Sequence, residues 1–261
     1  MVEDEHRTNQ ELFQGSLQED YDDEAAWDAV RALRGRGTEE VFQLAVQYCK
    51  SAVPLERARG LDVLAQIGAG AYKPESGRPH LDERLAIAVE HLHDENARVV
   101  SSAAWALSHI GGDAAISALI EVRNNSDSDV RKAVTCGMHG SQREDATCTL
   151  IELMDDLDDN VRDWATFGLG TQSDVDSPEI RDALRKRLGD GFKDARDEAI
   201  WGLAQRKDQQ GLSMLIERLS AEHWIAGDET AAAETLNVPH DTPAEQLLDG
   251  LRQLLLDHFP R

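Results

Sequence analysis

The sequence predicts an all-α fold, a right-handed α-α superhelix (solenoid) of about seven two-helix repeats. Three observations predict it: a motif that recurs about every 31 residues, helical spacing of the apolar positions around that motif, and an apolar fraction dominated by Ala and Leu with only 5% aromatic residues. Ala and Leu favour helices, whereas aromatic and β-branched residues favour strands. No segment shows the strict alternation of a half-buried strand, so we expect every repeat to be helical.

The recurring motif marks the end of the first helix of each repeat. Successive copies are separated by 31, 43, 31, 31, 34 and 33 residues. Repetition at such a period is typical of stacked repeats, in which each repeat buries its faces against its neighbours. The one long step contains the Gly- and Pro-rich stretch 68–80, which predicts a loop insertion. The last residue of the motif is Leu33, Leu64, Leu107, Met138, Leu169, Leu203 or Leu236.

Two further positions recur in register with this residue. The position just before it is small, as at Gly137, Gly168 and Gly202, and lies on the same arc of the helix. Small residues there predict close approach of neighbouring helices, and the burial gained offsets a glycine penalty of about 1 kcal/mol. Because acidic segments precede these helices, an arginine near the helix start predicts a ladder of Arg and Asp between repeats. These arginines are Arg57, Arg131, Arg162 and Arg196.

A second apolar segment with helical spacing follows each first helix and ends at a breaker or an acidic cluster. Each repeat is therefore expected to be a helix, a short turn, a second helix and a turn into the next repeat. The boundaries that follow are an acidic N-terminal tail at 1–20, a candidate for disorder, the repeat solenoid at 21–241, and a C-terminal capping helix at 242–261. The segment 21–30 would cap the N-terminal end of the stack.

Three stretches carry the repeat most clearly: "SDVRKAVTCGMHG", "DNVRDWATFGLG" and "DARDEAIWGLAQRKD". A two-helix repeat of this kind resembles the HEAT-type repeats, and more closely the bacterial HEAT-like branch first named from phycobilisome lyases. The resemblance covers nearly the whole chain, from Tyr21 to Leu236. It implies a stacked helical fold. It implies no single function, because the branch includes lyases, hydroxylases and scaffolds.

The net charge of −23 comes from 50 acidic and 27 basic residues. Such a surface repels phosphates and anionic lipid headgroups, so we expect neither nucleic acid nor a membrane as partner. A local basic cluster is too small to reverse this field. No apolar run approaches the roughly 20 residues that span a bilayer, and the polar N-terminus is no signal peptide. We expect a cytoplasmic protein. The basic cluster consists of Arg181, Arg185, Lys186 and Arg187.

No catalytic or metal-binding constellation stands out, and we expect no metal and no cofactor. Hydroxylases with this repeat carry His-Glu dipeptides, and this chain has none. The spacing of Cys49, Cys136 and Cys148 fits no metal motif, so we interpret them as buried thiols in a reducing compartment.

An aromatic position lies two residues before the recurring Leu. A stripe of aromatic rings could hold a flat chromophore, but such a position more often packs between adjacent first helices. We therefore interpret these rings as packing residues, with Cys136 taking the same position in one repeat. The aromatic residues are Trp105, Phe167 and Trp201.

One charged position recurs in the second helices, in steps of 31, 31, 34 and 31 residues. Each copy lies two residues, roughly 200° around the helix, from a residue expected to pack, so it should point away from that contact. In HEAT-type stacks the second helices line the concave face, and the resemblance places this position there. Two interpretations remain, a solvated face and a groove for a basic helix or tail. This acidic slot is Glu90, Glu121, Glu152, Lys186 and Glu217.

These patterns predict a non-enzymatic scaffold or adaptor that binds a protein or peptide, with a basic surface, in its concave groove. The first alternative is a lyase- or hydroxylase-type enzyme or enzyme subunit of the HEAT-like branch. The second is an antitoxin-like inhibitor of a basic partner. The insertion at 68–80 is a secondary contact candidate, because long loops on regular scaffolds often carry recognition.

Overall fold

The computed structural model describes residues 7–68, 80–221 and 225–259. Within these ranges the chain forms fifteen α-helices and no β-strand. The helices are α1 (Asn9–Ser16), α2 (Glu24–Arg36), α3 (Glu39–Cys49), α4 (Pro54–Ala65), α5 (Leu81–His91), α6 (Ala97–Ile110), α7 (Asp113–Glu121), α8 (Ser128–Met138), α9 (Glu144–Leu153), α10 (Asp159–Gly170), α11 (Pro178–Arg187), α12 (Lys193–Gln205), α13 (Gln209–Ser220), α14 (Ala226–Leu236) and α15 (Ala244–His258).

After α1, the described helices follow one another as seven pairs. The first helices are α2, α4, α6, α8, α10, α12 and α14, and each carries one copy of the recurring Leu or Met. That residue is buried in six of the seven and partly buried at Leu236 in α14. The predicted all-α repeat solenoid of two-helix repeats is confirmed. No described helix is both long and apolar enough to cross a bilayer.

The chain divides into two compact units, Met1–Gly137 and Met138–Arg261. In the first unit α4 packs between α2 and α6, and α3 and α5 lie against α4. In the second unit α12 packs between α10 and α14, and α13 packs against α15. The core of this second stack includes Leu212, Leu215 and Leu247, all fully buried. Burying one such leucine stabilises the fold by about 1.5–3 kcal/mol.

The N-terminal segment is folded, so the prediction of a tail at 1–20 without a place in the repeat was wrong for α1. This helix begins with a capping box and buries Leu12 and Phe13 completely. The Phe13 ring stacks on Tyr48 of α3 with centroids 4.3 Å apart. So short a helix gains its stability from packing on other helices, which its own sequence does not reveal. Helix α1, rather than the segment 21–30, covers the end of the first repeat.

Arg59 of α4 ties this N-terminal segment to the stack. Its side chain is fully buried. Its Nε donates to the Ser16 carbonyl at 2.9 Å, and its Nη2 donates to the Tyr21 carbonyl at 2.7 Å. Its Nη1 lies 3.2 Å from the Asp62 carboxylate, which also accepts from the Tyr21 hydroxyl at 2.5 Å. A buried charge is tolerated only with such partners, so this network fixes where the segment lies.

A repeated turn leads into five of the first helices. Three residues before each helix starts, a side-chain oxygen accepts a hydrogen bond from the backbone N–H two residues further on, at 2.8–3.0 Å. This local bond holds the backbone in a turn and so sets the direction in which the helix begins. The accepting residues are Ser51, Asp94, Asn125, Asp156 and Asp190.

The recurring arginine of the first helix holds the same turn. In α4, α8, α10 and α12 its Nη1 donates to the carbonyls of the residues six and five positions earlier. In two places the guanidinium also reaches the turn of the next repeat. Arg57 pairs with Asp94 through two bonds of 2.8 Å, and Arg162 pairs with Asp190 at 2.9 and 3.0 Å. The predicted Arg–Asp ladder is confirmed at these two positions.

The predicted insertion at 68–80 lies outside the described residues except at its two ends. At the first end, the Gly68 N–H donates to the Arg34 carbonyl at 2.8 Å. At the second end, His80 stacks on Phe42 with ring centroids 3.7 Å apart, and its Nε2 lies 2.9 Å from the Glu39 carboxylate. Both ends of the insertion are therefore attached to the first repeat.

Glycines let α10 and α12 approach closely. A Cβ atom added to Gly202 would lie 2.5 Å from the Gly170 Cα, and one added to Gly170 would lie 2.9 Å from the Glu198 carbonyl oxygen. A Cβ at Gly168 would lie 2.7 Å from the His139 ring. The predicted role of these glycines, to permit close helix packing, is confirmed here.

Replacing Arg162 with Ala should lower the free energy of unfolding by about 2–4 kcal/mol, because Asp190, whose side chain is only 3% exposed, loses its bidentate partner. Urea unfolding followed by circular dichroism measures the change. The matched control is Arg31→Ala, since the Arg31 pair with Asp28 is more than half exposed and should contribute less than about 1 kcal/mol. Equal and small effects of both changes would contradict a structural role for the ladder.

Replacing Gly202 with Ala should destabilise the protein by about 1–3 kcal/mol, because the new methyl group meets the backbone of α10. Thermal unfolding measures this. Gly35 in α2 is the control, because nothing lies within 4 Å of a Cβ added there. Gly35→Ala should instead stabilise by about 0.4–1 kcal/mol through helix propensity and reduced unfolded-state entropy. A stabilising Gly202→Ala would show that α10 and α12 pack less closely.

Candidate functional site

The acidic slot lies on the outer surface of the second helices. All five of its residues are exposed. The residue two positions before each of them is buried, as Leu119 and Leu215 illustrate, which confirms that the slot points away from the packed face. Glu90 and Glu121 belong to the first compact unit, whereas Glu152, Lys186 and Glu217 belong to the second.

The basic residue of the slot is offset by an acid. The Lys186 Nζ lies 2.5 Å from an Asp155 carboxylate oxygen, and Arg187 pairs with the other oxygen at 2.9 Å. The remaining cations of this cluster are also paired. Arg181 binds Asp176 at 2.7 Å, and Arg185 binds Asp208 at 2.6 Å. The predicted basic cluster is therefore a set of ion pairs, which leaves little net charge to attract a phosphate.

The cysteines are free thiols that differ in exposure. Burial raises the pKa of Cys49 to about 12 and that of half-buried Cys136 to about 11, so both are poor nucleophiles. The interpretation of all three as buried packing residues was wrong for Cys148, which is exposed. The buried face of α9 passes through Ala146 and Leu150, and Cys148 lies two residues, roughly 200°, from each.

Two of the histidines, His91 and His139, bind the backbone of a neighbouring helix. His91 of α5 has its Nε2 2.9 Å from the Cys49 carbonyl of α3. His139 has its Nε2 3.0 Å from the Trp164 carbonyl of α10, and burial lowers the pKa of His139. Among the described residues, no group of three or more His, Cys, Asp or Glu side chains is arranged to hold a metal ion.

The aromatic position of the first helices is half-buried in each of its three aromatic copies. The Trp201 indole N–H donates to the Asp228 carboxylate of α14 at 3.0 Å. A Cβ atom added to Gly227 would lie 2.4 Å from the Trp201 ring. The Lys132 ammonium lies 5.6 Å from the ring centroid of Trp105. The rings thus pack between neighbouring first helices, as predicted, and each stays partly exposed.

A cavity of about 250 Å³ opens beside two of these rings, between α10, α12 and α14. Its lining includes Phe167, Trp201 and the carboxylates of Glu198 and Glu234. A larger concavity of about 600 Å³ lies at α11 and α13, where the paired Arg181 and the ring of Phe259 line it. Neither of these two cavities is lined by a residue of the acidic slot.

Glu198 is the chemically distinctive group of the smaller cavity. Burial raises its pKa to about 7, and the negative charges of Asp163, Asp197 and Asp194 add to the effect. A hydrogen bond from the Thr171 hydroxyl at 3.2 Å opposes the shift. Near neutral pH this carboxylate is close to half ionised, so a nearby cation would shift it to the charged form.

Sequence reasoning missed this cavity and also the turn residues. The turn residues carry a signal, because each lies thirteen positions before the recurring Leu or Met, in the same register as the arginine. Glu198 has no such repeated signal, because the same position of other repeats holds Ser102, Ala133 and Trp164. An isolated helical glutamate reads as exposed, and its burial follows only from the neighbouring helices.

A sequence profile described as HEAT repeats matches residues 80–136 and 148–237, more than half of the chain. The chain is a HEAT repeat protein. Repeat folds of this family offer extended surfaces that typically bind proteins or peptides. The closer assignment to the phycobilisome-lyase branch stays a prediction.

Two relatives share this architecture along most of the chain. The protein YibA of Escherichia coli K12 is 26% identical over 215 residues, which cover 80% of this HEAT repeat protein and 74% of YibA. The X-ray structure of E. coli YibA is similar with a TM-score of 0.73 at 22% identity, covering 97% of this chain and 95% of that one. An archaeal HEAT-like repeat protein from Thermococcus onnurineus is similar with a TM-score of 0.53 at 15% identity, covering 95% and 98%. These likenesses to solved structures show the fold.

The raised pKa of Glu198 predicts a pH dependence of stability with a definite sign. Between the ordinary value of 4.5 and about 7, the folded state binds more protons at this site than the unfolded state. Raising the pH through this window therefore removes stability. Glu198→Gln abolishes that loss, so the variant should gain on the order of 1–3 kcal/mol over wild type between pH 5 and pH 8.

Urea unfolding at each pH measures the difference in the free energy of unfolding between wild type and Glu198→Gln. The histidines titrate in both proteins, so their contribution cancels from this difference. Glu245→Gln, at an exposed position of α15, is the control and should keep the wild-type pH profile. Parallel profiles of wild type and Glu198→Gln would contradict the buried state of this carboxylate.

Proposed function

We propose that this HEAT repeat protein is a non-enzymatic scaffold that binds a basic protein or peptide along the acidic slot of its second helices. The observation that carries the proposal is that one charged position is exposed on five second helices, two in the first compact unit and three in the second, four times as Glu. Within each compact unit, this recurrence suits a partner that presents positive charges at intervals. The net charge of −23 would speed the encounter with such a partner.

The slot suits binding better than catalysis. Carboxylates that act as acids, bases or nucleophiles are usually shielded from water in a cleft, where burial tunes their pKa. The glutamates of the slot are open to solvent on helix surfaces. Exposed charges of this kind contribute mainly to the rate and specificity of association, and their effect is screened by salt over about 8 Å at physiological ionic strength.

The test compares two double charge reversals that change the net charge equally. Glu90→Lys with Glu121→Lys reverses two slot residues of the first compact unit. Glu24→Lys with Glu95→Lys reverses two exposed residues that lie outside the second helices. Affinity for a labelled octalysine peptide is measured by fluorescence anisotropy at low and moderate salt, and pull-downs from the native lysate run in parallel.

We expect the slot variant to bind octalysine at least about tenfold more weakly than wild type, a loss of about 1.4 kcal/mol. The control variant should change the affinity by less than about threefold, since it alters only the general field. Proteins retained by wild type and by the control, but lost by the slot variant, would be the partners. Equal weakening by both variants would show that the slot is a solvated face.

A further inference from the structure

The cavity between α10, α12 and α14 combines aromatic rings with carboxylates that no lysine or arginine of the described residues pairs with. We propose that it binds the ammonium group of a lysine side chain presented by a partner protein. The site lies on first helices, apart from the acidic slot on the second helices, and it rests on the proposed scaffold function only for the source of the lysine.

The aromatic part of the site is held in place. Trp201 is fixed at its indole nitrogen by Asp228 at 3.0 Å, and Asp228 is fully buried. The same ring lies against α14 at Gly227, where no larger residue would leave it room. Phe167 of α10 lines the opposite helix of the cavity. The Arg218 guanidinium lies 6.0 Å from the Trp201 ring centroid, at the outer limit of a cation–π contact. A cation closer to an aromatic face gains roughly 0.5–2 kcal/mol, more as the site is desolvated.

Within the described ranges, neither carboxylate of the site is paired with a lysine or an arginine. Glu198 accepts from the Thr171 hydroxyl at 3.2 Å, and Glu234 accepts from the Gln205 amide at 2.6 Å, with the His240 ring 3.9 Å away.

Three buried acids of the same compact unit differ from Glu198, which is half-buried. Asp190, Asp197 and Asp228 are each paired with an arginine. Removing a carboxylate from water without a paired cation is costly, and the cavity gives a ligand direct access to Glu198.

The charges around Glu198 come from the three helices that form the cavity and are mostly negative. Helix α10 contributes Asp163, and α12 contributes Asp194 and Asp197. Helix α14 contributes Glu234 to the cavity itself. The positive groups nearby, Lys193 of α12 and Arg218 of α13, are both bound to Asp197. This field favours a cation, and the raised pKa of Glu198 means that an arriving ammonium drives it to its charged form.

The size of the cavity favours lysine over larger cations. Its volume of about 250 Å³ equals the share of about eight water molecules in the liquid, which suits a compact ammonium on a flexible four-carbon stem. A guanidinium needs a planar partner that accepts two parallel bonds. Glu198 already uses one oxygen for Thr171, so a single point charge is the better match.

The experiment uses the intact protein and N-acetyl-lysine methylamide as the probe. Binding is followed by NMR through the indole N–H of Trp201, assigned by the loss of its signal in Trp201→Phe. The norleucine and arginine analogues test the charge and its shape. Glu198→Gln removes the charge while keeping the acceptor for Thr171, and Glu245→Gln is the matched control outside the cavity. The double slot variant Glu90→Lys with Glu121→Lys is titrated in parallel.

We expect saturable shifts of the Trp201 signal with the lysine probe, at least about tenfold weaker binding of the norleucine and arginine analogues, and a similar loss in Glu198→Gln. Affinity should also fall as the pH is lowered from about 8 to about 6, since Glu198 becomes neutral. Glu245→Gln and the double slot variant should bind as wild type does, which separates this site from the slot.

Four results would each overturn the proposal. They are no saturable shift of Trp201, equal binding of the lysine and norleucine probes, unchanged lysine binding in Glu198→Gln, and binding of the arginine analogue at least as strong as that of the lysine probe. Thermal unfolding of each variant shows that it is folded, so a loss of binding is not mistaken for a loss of structure.

Discussion

The hydrogen bonds around the turn that precedes five of the first helices are the interaction on which the stack depends. A helix pair cannot bury its own apolar faces, so its neighbours must hold it at one fixed register. The side chain that accepts from the backbone sets the start of the helix, and the arginine six residues later closes the same turn through two carbonyls. Where Arg162 also reaches Asp190, one guanidinium joins two consecutive repeats.

This arrangement also explains where the negative charge of the protein can act. The turn aspartates Asp94 and Asp190 are part-buried and each faces an arginine, so they add little to the outer field. The glutamates of the second helices, by contrast, face water. Glu198 is a third case, a carboxylate inside the stack beside a cavity. The same residue class therefore has a structural role, a surface role and a binding role in one fold.

The period of the sequence was sufficient to predict the fold. Residues such as Leu107 and Leu203 recur at the spacing of one helix pair, and each is buried. Predictions about single residues were less secure. Cys148 looked apolar and packed, yet it lies on the outer face of α9. The N-terminal helix α1 was missed because only two of its residues, Leu12 and Phe13, are apolar, and their burial depends on α2 and α3.

By itself the sequence determined the number of repeats, the buried stripe of each first helix and the outward direction of Glu121 and its equivalents. Helical periodicity is a local property, so a single chain reveals it. Only the tertiary structure decided which acids are neutralised and which are not. The burial of Glu198 and the ring of Trp201 beside it depend on three helices brought together from distant parts of the chain, and no spacing within one helix encodes that meeting.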